Sequence, residues 1–294
     1  MTNLFDPRIL SKMERLDLVA RFVVEGFFSG RHASPYRGFS TDFSQHRQYS
    51  PGDDTRRIDW KAYGKTERYY LREYQQETTL TAHILVDTSK SMAYASGQLR
   101  KIEYAKMAAA CLAYLVLDQQ DSVSVIAFSD TLDLAISPTS RMAAFSDVCE
   151  ALAPIEPEGA GDIPAALHQT AQVLKRRGVV IVISDFLSDV EAVVKGLQHL
   201  RFQGHDVLVV QVLDDAELTF PFSGATLFEG LETNASVLTD AARVRARYMA
   251  ALAAFLETLR AGCVNSEIDY LLADTRENLD KVLVAYLLSR GKRR

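Results

Sequence analysis

From residue 79 onward, apolar residues fall along this chain in short, nearly unbroken runs. Residues 82–86, 122–128, 132–137, 179–184, 207–213 and 268–272 are rich in Val, Ile and Leu at successive positions. Such runs predict strands covered on both faces. Between them the spacing predicts helices over 101–117, 142–152, 164–176, 190–201 and 240–261, with a last helix over 277–288. This alternation implies right-handed crossovers and an α/β fold with a doubly wound, mainly parallel sheet. The link Ser129-Asp130-Thr131 is too short for a crossover, so it predicts a hairpin and one antiparallel edge strand.

The first 78 residues follow another pattern. Residues 7–28 read as one helix, with Ile9, Leu10, Met13, Leu16, Val19, Ala20 and Val23 on a single apolar face. A Gly-, Ser- and Arg-rich stretch follows, then a turn at Pro51-Gly52 and a strand candidate over 69–77. With no linker-like run after it, residues 1–78 are read as an extension packed on a main domain of residues 79–294. Residues 214–224 read as a polar loop around Pro221 with no assigned chemistry.

In a doubly wound sheet, ligands gather outside the carboxyl ends of the strands, where strand order reverses. Two predicted strands end on aspartate, at Asp87 and Asp185. The run Asp87-Thr88-Ser89-Lys90-Ser91 sets one carboxylate and two alternate hydroxyls in a single loop. That is an oxygen donor set for a hard cation such as Mg²⁺, with positions left for water or a partner's carboxylate. The loop Glu158-Gly159-Ala160-Gly161-Asp162 opens the helix at Pro164, with Asp162 as its N-cap. Three distant segments thus converge on one rim. The plainer alternative has Asp87, Ser89 and Ser91 satisfying backbone groups in a strand-to-helix turn. A second aspartate at another strand end favours the site.

Composition narrows the function classes. The chain has 294 residues, 48% hydrophobic and 24% charged, with a net charge of −5. No global basic field recruits nucleic acid. The balance is uneven: residues 1–78 hold 13 Lys/Arg against 11 Asp/Glu, and the remainder 20 against 27. Cys111, Cys149 and Cys263 are widely spaced within helical patterns and read as buried free thiols. The first residues carry no secretory pattern, and no apolar run approaches the roughly 18 residues of a membrane span, which leaves the cytoplasm as the expected location. Enzyme signatures fail. Gly64-Lys65-Thr66 lacks the earlier glycine of a phosphate-binding loop, Asp59 standing there instead, and neither a Gly-x-Ser-x-Gly elbow nor a His-Glu-x-x-His pair occurs. The six histidines show no ligand spacing. A metal-dependent phosphohydrolase using Asp87 as nucleophile is the rival reading, although Ser89 stands where such enzymes need a second aspartate.

The Asp-x-Ser-x-Ser run and the later Ser184-Asp185 resemble the metal-ion-dependent adhesion site of the von Willebrand factor A fold. The resemblance implies direct Mg²⁺ ligation by Ser89 and Ser91, with Asp87 and Asp185 holding the ion through water. Where the middle motif of that fold supplies a threonine, this chain has Gly161 followed by Asp162. Either Asp162 replaces that ligand, or the metal is held weakly or not at all and the domain is a structural scaffold. Upstream, Arg47-x-Tyr49-x-Pro51-Gly52-Asp53-Asp54-x-Arg56-x-Ile58-Asp59-Trp60 is similar to the signature of bacterial domain-of-unknown-function family 58 (DUF58). That resemblance implies a non-enzymatic binding module working beside a MoxR-type AAA+ ATPase in chaperone-like assembly. Within the signature, Asp53, Asp54 and Asp59 are placed to accept hydrogen bonds from Arg47, Arg56 or Arg57, with Trp60 as a large apolar anchor. The cluster of Asp53, Asp54, Arg56, Asp59 and Trp60 serves as a structural clamp or as a docking face for the ATPase.

Overall fold

The computed structural model describes residues 6–13, 15–29, 46–48, 63–64, 69–72, 80–129, 131–232 and 235–291. The chain divides into two units, one formed by Met1–Gly30 with Leu80–Arg294 and the other by Arg31–Thr79. In the larger unit the N-terminal segment forms α1 (Pro7–Leu10) and α2 (Leu16–Ser29), not the single helix expected over 7–28. The N–H of Ser11 closes the last turn of α1 onto Ile9 and Pro7 carbonyls, and an Arg15–Asp17 ion pair at 2.7 Å marks the restart. Apolar periodicity found the buried face, which both helices share through Leu10, Val19 and Val23. It carries no signal for continuity of the hydrogen-bond ladder. In the smaller unit β1 (His46–Gln48) pairs antiparallel with β2 (Tyr70–Arg72), and the rings of Tyr63 and Tyr69 stack at 4.5 Å.

The main sheet follows the expected class. Its strands are β3 (Thr81–Asp87), β4 (Ser122–Phe128), β5 (Leu132–Thr139), β6 (Val179–Ser184), β7 (Asp206–Leu213) and β10 (Asp269–Asp274), in the spatial order β10-β7-β6-β3-β4-β5. All neighbouring pairs are parallel except β4 with β5, the reversed edge. Because the chain leaves β3 toward β4 and later returns to β6 on its other side, the order switches between β3 and β6. That switch is where such sheets open a crevice.

Strand residues alternate between two cores. Ile84, Val86, Val125, Ile181, Ile183 and Val210 face one layer with α2, α3 (Lys101–Asp118), α4 (Phe145–Leu152) and α9 (Asp280–Gly291). Leu85, Ile126, Val180, Val182 and Val209 face the other, with α5 (Ile163–Val173), α6 (Val190–Phe202) and α8 (Ala241–Asn265). Helix α3 is apolar nearly all round, as befits a helix buried between α2 and the sheet. The three cysteines are free and buried.

Residues 214–224 depart from the expected loop. Asp214 accepts from Ala216 N at 2.8 Å while Glu217 reaches back to Asp214 N at 2.8 Å, a reciprocal cap that forms α7 (Asp215–Thr219). A hairpin of β8 (Ala225–Glu229) and β9 (Ser236–Asp240) follows, which the hydrophobic pattern did not reveal. Its strands are short and largely exposed, so no run of apolar positions marks them.

Candidate functional site

β3 ends on Asp87 and β6 ends just before Asp185, so parallel pairing across the switch sets the two aspartates at neighbouring strand ends, one residue out of register and both fully buried. Around Asp87 the local chain supplies neutral donors. Ser89 N donates to its Oδ1 at 2.8 Å and Ser184 Oγ to its Oδ2 at 2.5 Å. Thr88 is tied to the end of β4 through Phe128 O, by its backbone at 2.8 Å and its hydroxyl at 3.0 Å. With Thr88 turned away, Ser89 Oγ and Ser91 Oγ come within 3.0 Å of each other.

The loop of residues 158–161 laces onto this turn, with Glu158 N on Thr88 O at 2.6 Å and Lys90 N on Gly159 O at 3.2 Å. Gly161 adopts a left-handed φ of +69°, and a Cβ there would stand 2.6 Å from Ser89 Cβ. No side chain fits between this backbone and Ser89, which is why glycine stands where the related motif has threonine. Asp162 caps α5, accepting from Ala165 N at 3.0 Å. Its side chain is exposed, unlike Asp87 and Asp185.

Asp185 has a different partner. Its Oδ1 accepts from Leu187 N at 3.0 Å, and its Oδ2 takes a hydrogen bond from Lys101 Nζ at 2.8 Å. Lys101 opens α3, is fully buried, and also binds Glu217 Oε1 at 2.7 Å, with the Tyr94 ring 5.8 Å from the ammonium. Burial pulls this lysine toward its neutral form, but Asp185 and Glu217 outweigh it and hold the pKa above the ordinary value. The opposite holds at Asp87. Burial and then the charge of Asp185 push its pKa up to about 7, against which the hydrogen bonds from Ser184 and Ser89 are too weak. Among the described residues no cationic side chain pairs with Asp87.

The structure therefore brings Asp87, Ser89, Ser91 and Asp185 together, with Asp162 at the adjoining helix start. Sequence reading missed Lys101, Glu217 and Glu232, whose Oε1 accepts from Ser91 N at 3.3 Å. A lysine at the first position of a largely apolar helix was the available signal for Lys101. Among the described residues no group of three or more His, Cys, Asp or Glu side chains has the arrangement of a metal site. The donors at this rim are instead two hydroxyls beside two carboxylates. His168 and His199 meet between α5 and α6 with their Nδ1 atoms 3.0 Å apart. Asp53, Asp54, Arg56, Asp59 and Trp60 lie outside the described residues. No helix among the described residues is long and apolar enough to cross a membrane.

Comparison with known proteins adds the family. The uncharacterized protein Rv1480 of Mycobacterium tuberculosis is 26% identical over 231 residues, covering 78% of this chain and 72% of that protein. Among solved structures, BatB from Bacteroides thetaiotaomicron is 16% identical with a TM-score of 0.47, over 73% of this chain and 100% of that one. An aerotolerance-related membrane protein from Bacteroides fragilis, carrying multiple mutations to serines, is 18% identical with a TM-score of 0.49, over 72% of this chain and 99% of that one. The family model described as protein of unknown function DUF58 matches residues 45–257, most of the chain, and the chain belongs to that family.

Proposed function

We propose that this chain is a non-enzymatic protein-binding module whose rim at Asp87, Ser89, Ser91 and Asp185 holds a divalent cation and offers it to a partner's carboxylate. One observation carries the reading: Asp87 is buried at a strand end with neutral donors alone, so an added cation would relieve the cost of its charge. The hydroxyls fit such an ion. Octahedral Mg²⁺ with oxygen ligands at about 2.0–2.1 Å places adjacent ligands about 3.0 Å apart. Ser89 Oγ and Ser91 Oγ have that separation. Asp87 and Asp185 stand behind them, both fully buried.

A nucleophilic role for Asp87 is disfavoured, because the side chain is wholly buried and both its oxygens are engaged. The sequence resemblance extends the proposal to a MoxR-type AAA+ ATPase as partner. A metal-free scaffold is the second reading, and Lys101 favours it, since its ammonium already neutralises Asp185 from within.

Calorimetric titration with Mg²⁺ and Mn²⁺ separates the two. Binding to the wild type that is lost in Asp87→Asn is the expected result. An absence of binding at millimolar ion installs the scaffold reading. Affinity capture in the presence of nucleotide tests the partner, and failure to recover a AAA+ ATPase removes that part of the proposal.

A further inference from the structure

The β8–β9 hairpin touches the rim through one acidic side chain. Glu232, in the segment joining the two strands, accepts from the Ser91 backbone N–H at 3.3 Å across 141 residues of sequence. Burial raises the pKa of this carboxyl, against the hydrogen bond from Ser91 N–H, and the charges of Asp185 and Lys101 act on it in opposite directions. A carboxylate of the chain itself therefore sits on the backbone of the residue that carries one of the two hydroxyls offered to a cation.

The hairpin forms a two-stranded sheet of its own. Its base is closed by Ala241 N on Gly224 O at 2.9 Å, and Phe228 stacks on Phe220 at 5.7 Å and meets Phe222 edge-on at 5.5 Å. Beyond that anchor β8 and β9 pair with each other and not with the main sheet. Leu227, Val237 and Leu238 are more than half exposed, at 54%, 57% and 73%. An isolated two-stranded ribbon is marginally stable in water, so the bond from Ser91 N–H to Glu232 adds to what holds it.

We propose that Glu232 is an internal carboxylate ligand: the hairpin lays it on the cation held by Ser89 and Ser91, and an acidic segment of a partner docks by displacing it. Glu232 thereby supplies an oxygen that Gly161 cannot, and the exposed Leu227, Val237 and Leu238 lie on the element that the partner must move. The inference rests on the cation reading above.

Hydrogen exchange of residues 88–93 and 225–240, followed with and without Mn²⁺ alongside calorimetry on the same samples, tests it. In the wild type Mn²⁺ slows exchange in both segments. In Glu232→Gln it slows residues 88–93 alone, and affinity falls about tenfold, as loss of one ligating or ligand-supporting group typically gives. Glu232→Asp, with its shorter reach, lies between the two. The side chain is partly exposed on a loop, so neither variant disturbs the core. If Mn²⁺ binds the wild type and slows residues 88–93 but leaves 225–240 unchanged, or binds Glu232→Gln as tightly, the inference is overturned and the cation reading stands. If Mn²⁺ binds neither protein, both fall together.

Discussion

The carboxyl ends of β3 and β6 lie side by side and carry the same residue in the same burial, yet they solve the problem of a buried carboxylate in opposite ways. At the end of β6 the chain brings its own cation, Lys101, to Asp185 at 2.8 Å and balances the excess with Glu217. At the end of β3 it supplies hydroxyl and amide donors to Asp87 and, among the described residues, no counter-charge. The contrast shows that burial of acid groups is not in itself the signature of a binding site. The informative aspartate is the one whose charge the fold leaves uncompensated, because a group in that condition gains most from an ion arriving from solvent.

The largest effect is expected from making the two ends alike. Lys101→Met leaves the buried Asp185 and the half-buried Glu217 without their cation, and should cost about 3–5 kcal/mol in urea denaturation, the usual penalty for breaking one side of a buried ion pair. A loss below about 1 kcal/mol would mean that Asp185 is neutralised in another way and would dissolve the contrast.

A smaller effect separates this end of β3 from its beginning. His83 is buried beside Ser124 Oγ at 2.6 Å, and burial, with the nearby His205, lowers its pKa to about 4. The unfolded chain protonates this histidine near 6.5 and the folded chain near 4, so the unfolded state binds more protons between those values. The contribution of His83 is then fully present above pH 6.5 and is lost as pH falls toward 4, by at most about 3 kcal/mol. The difference in stability between wild type and His83→Gln, followed by denaturation from pH 7 to 4, isolates it. A flat difference contradicts a buried neutral imidazole.

The smallest change in stability is expected where the proposed function is most sensitive. Asp87→Asn keeps the shape and the hydrogen bond from Ser89 N while removing the uncompensated charge, so its stability in the absence of divalent ions should lie within about 1 kcal/mol of wild type. A loss as large as that of Lys101→Met would show that Asp87 has a counter-charge after all.

The residues that were readable in the sequence share one property: their signal is local. Unbroken Val/Ile/Leu runs declare buried parallel strands, and the three-residue link at Ser129–Thr131 declares the reversed edge. An Asp-x-Ser-x-Ser run after an apolar strand also places its donors without help from elsewhere, because strand and turn geometry do the placing. Asp185 was found for the same reason. The break between α1 and α2, the cap that turns 214–219 into α7, and the hairpin that follows lacked such a signal, being set by polar hydrogen bonds and by packing of a few aromatic rings.

Sequence by itself therefore determined the layered sheet, the strand ends at which chemistry gathers, and the two hydroxyls and two aspartates of the rim. Tertiary structure alone decided the charge state of that rim. Lys101 reaches Asp185 across 84 residues and Glu217 across 116, and Glu232 reaches Ser91 across 141. Pairings at such separations leave no periodicity in the chain. They arise because the sheet, once closed, brings the start of α3, the cap of α7 and the hairpin tip to one edge, where the desolvation of each charge depends on which others arrive with it.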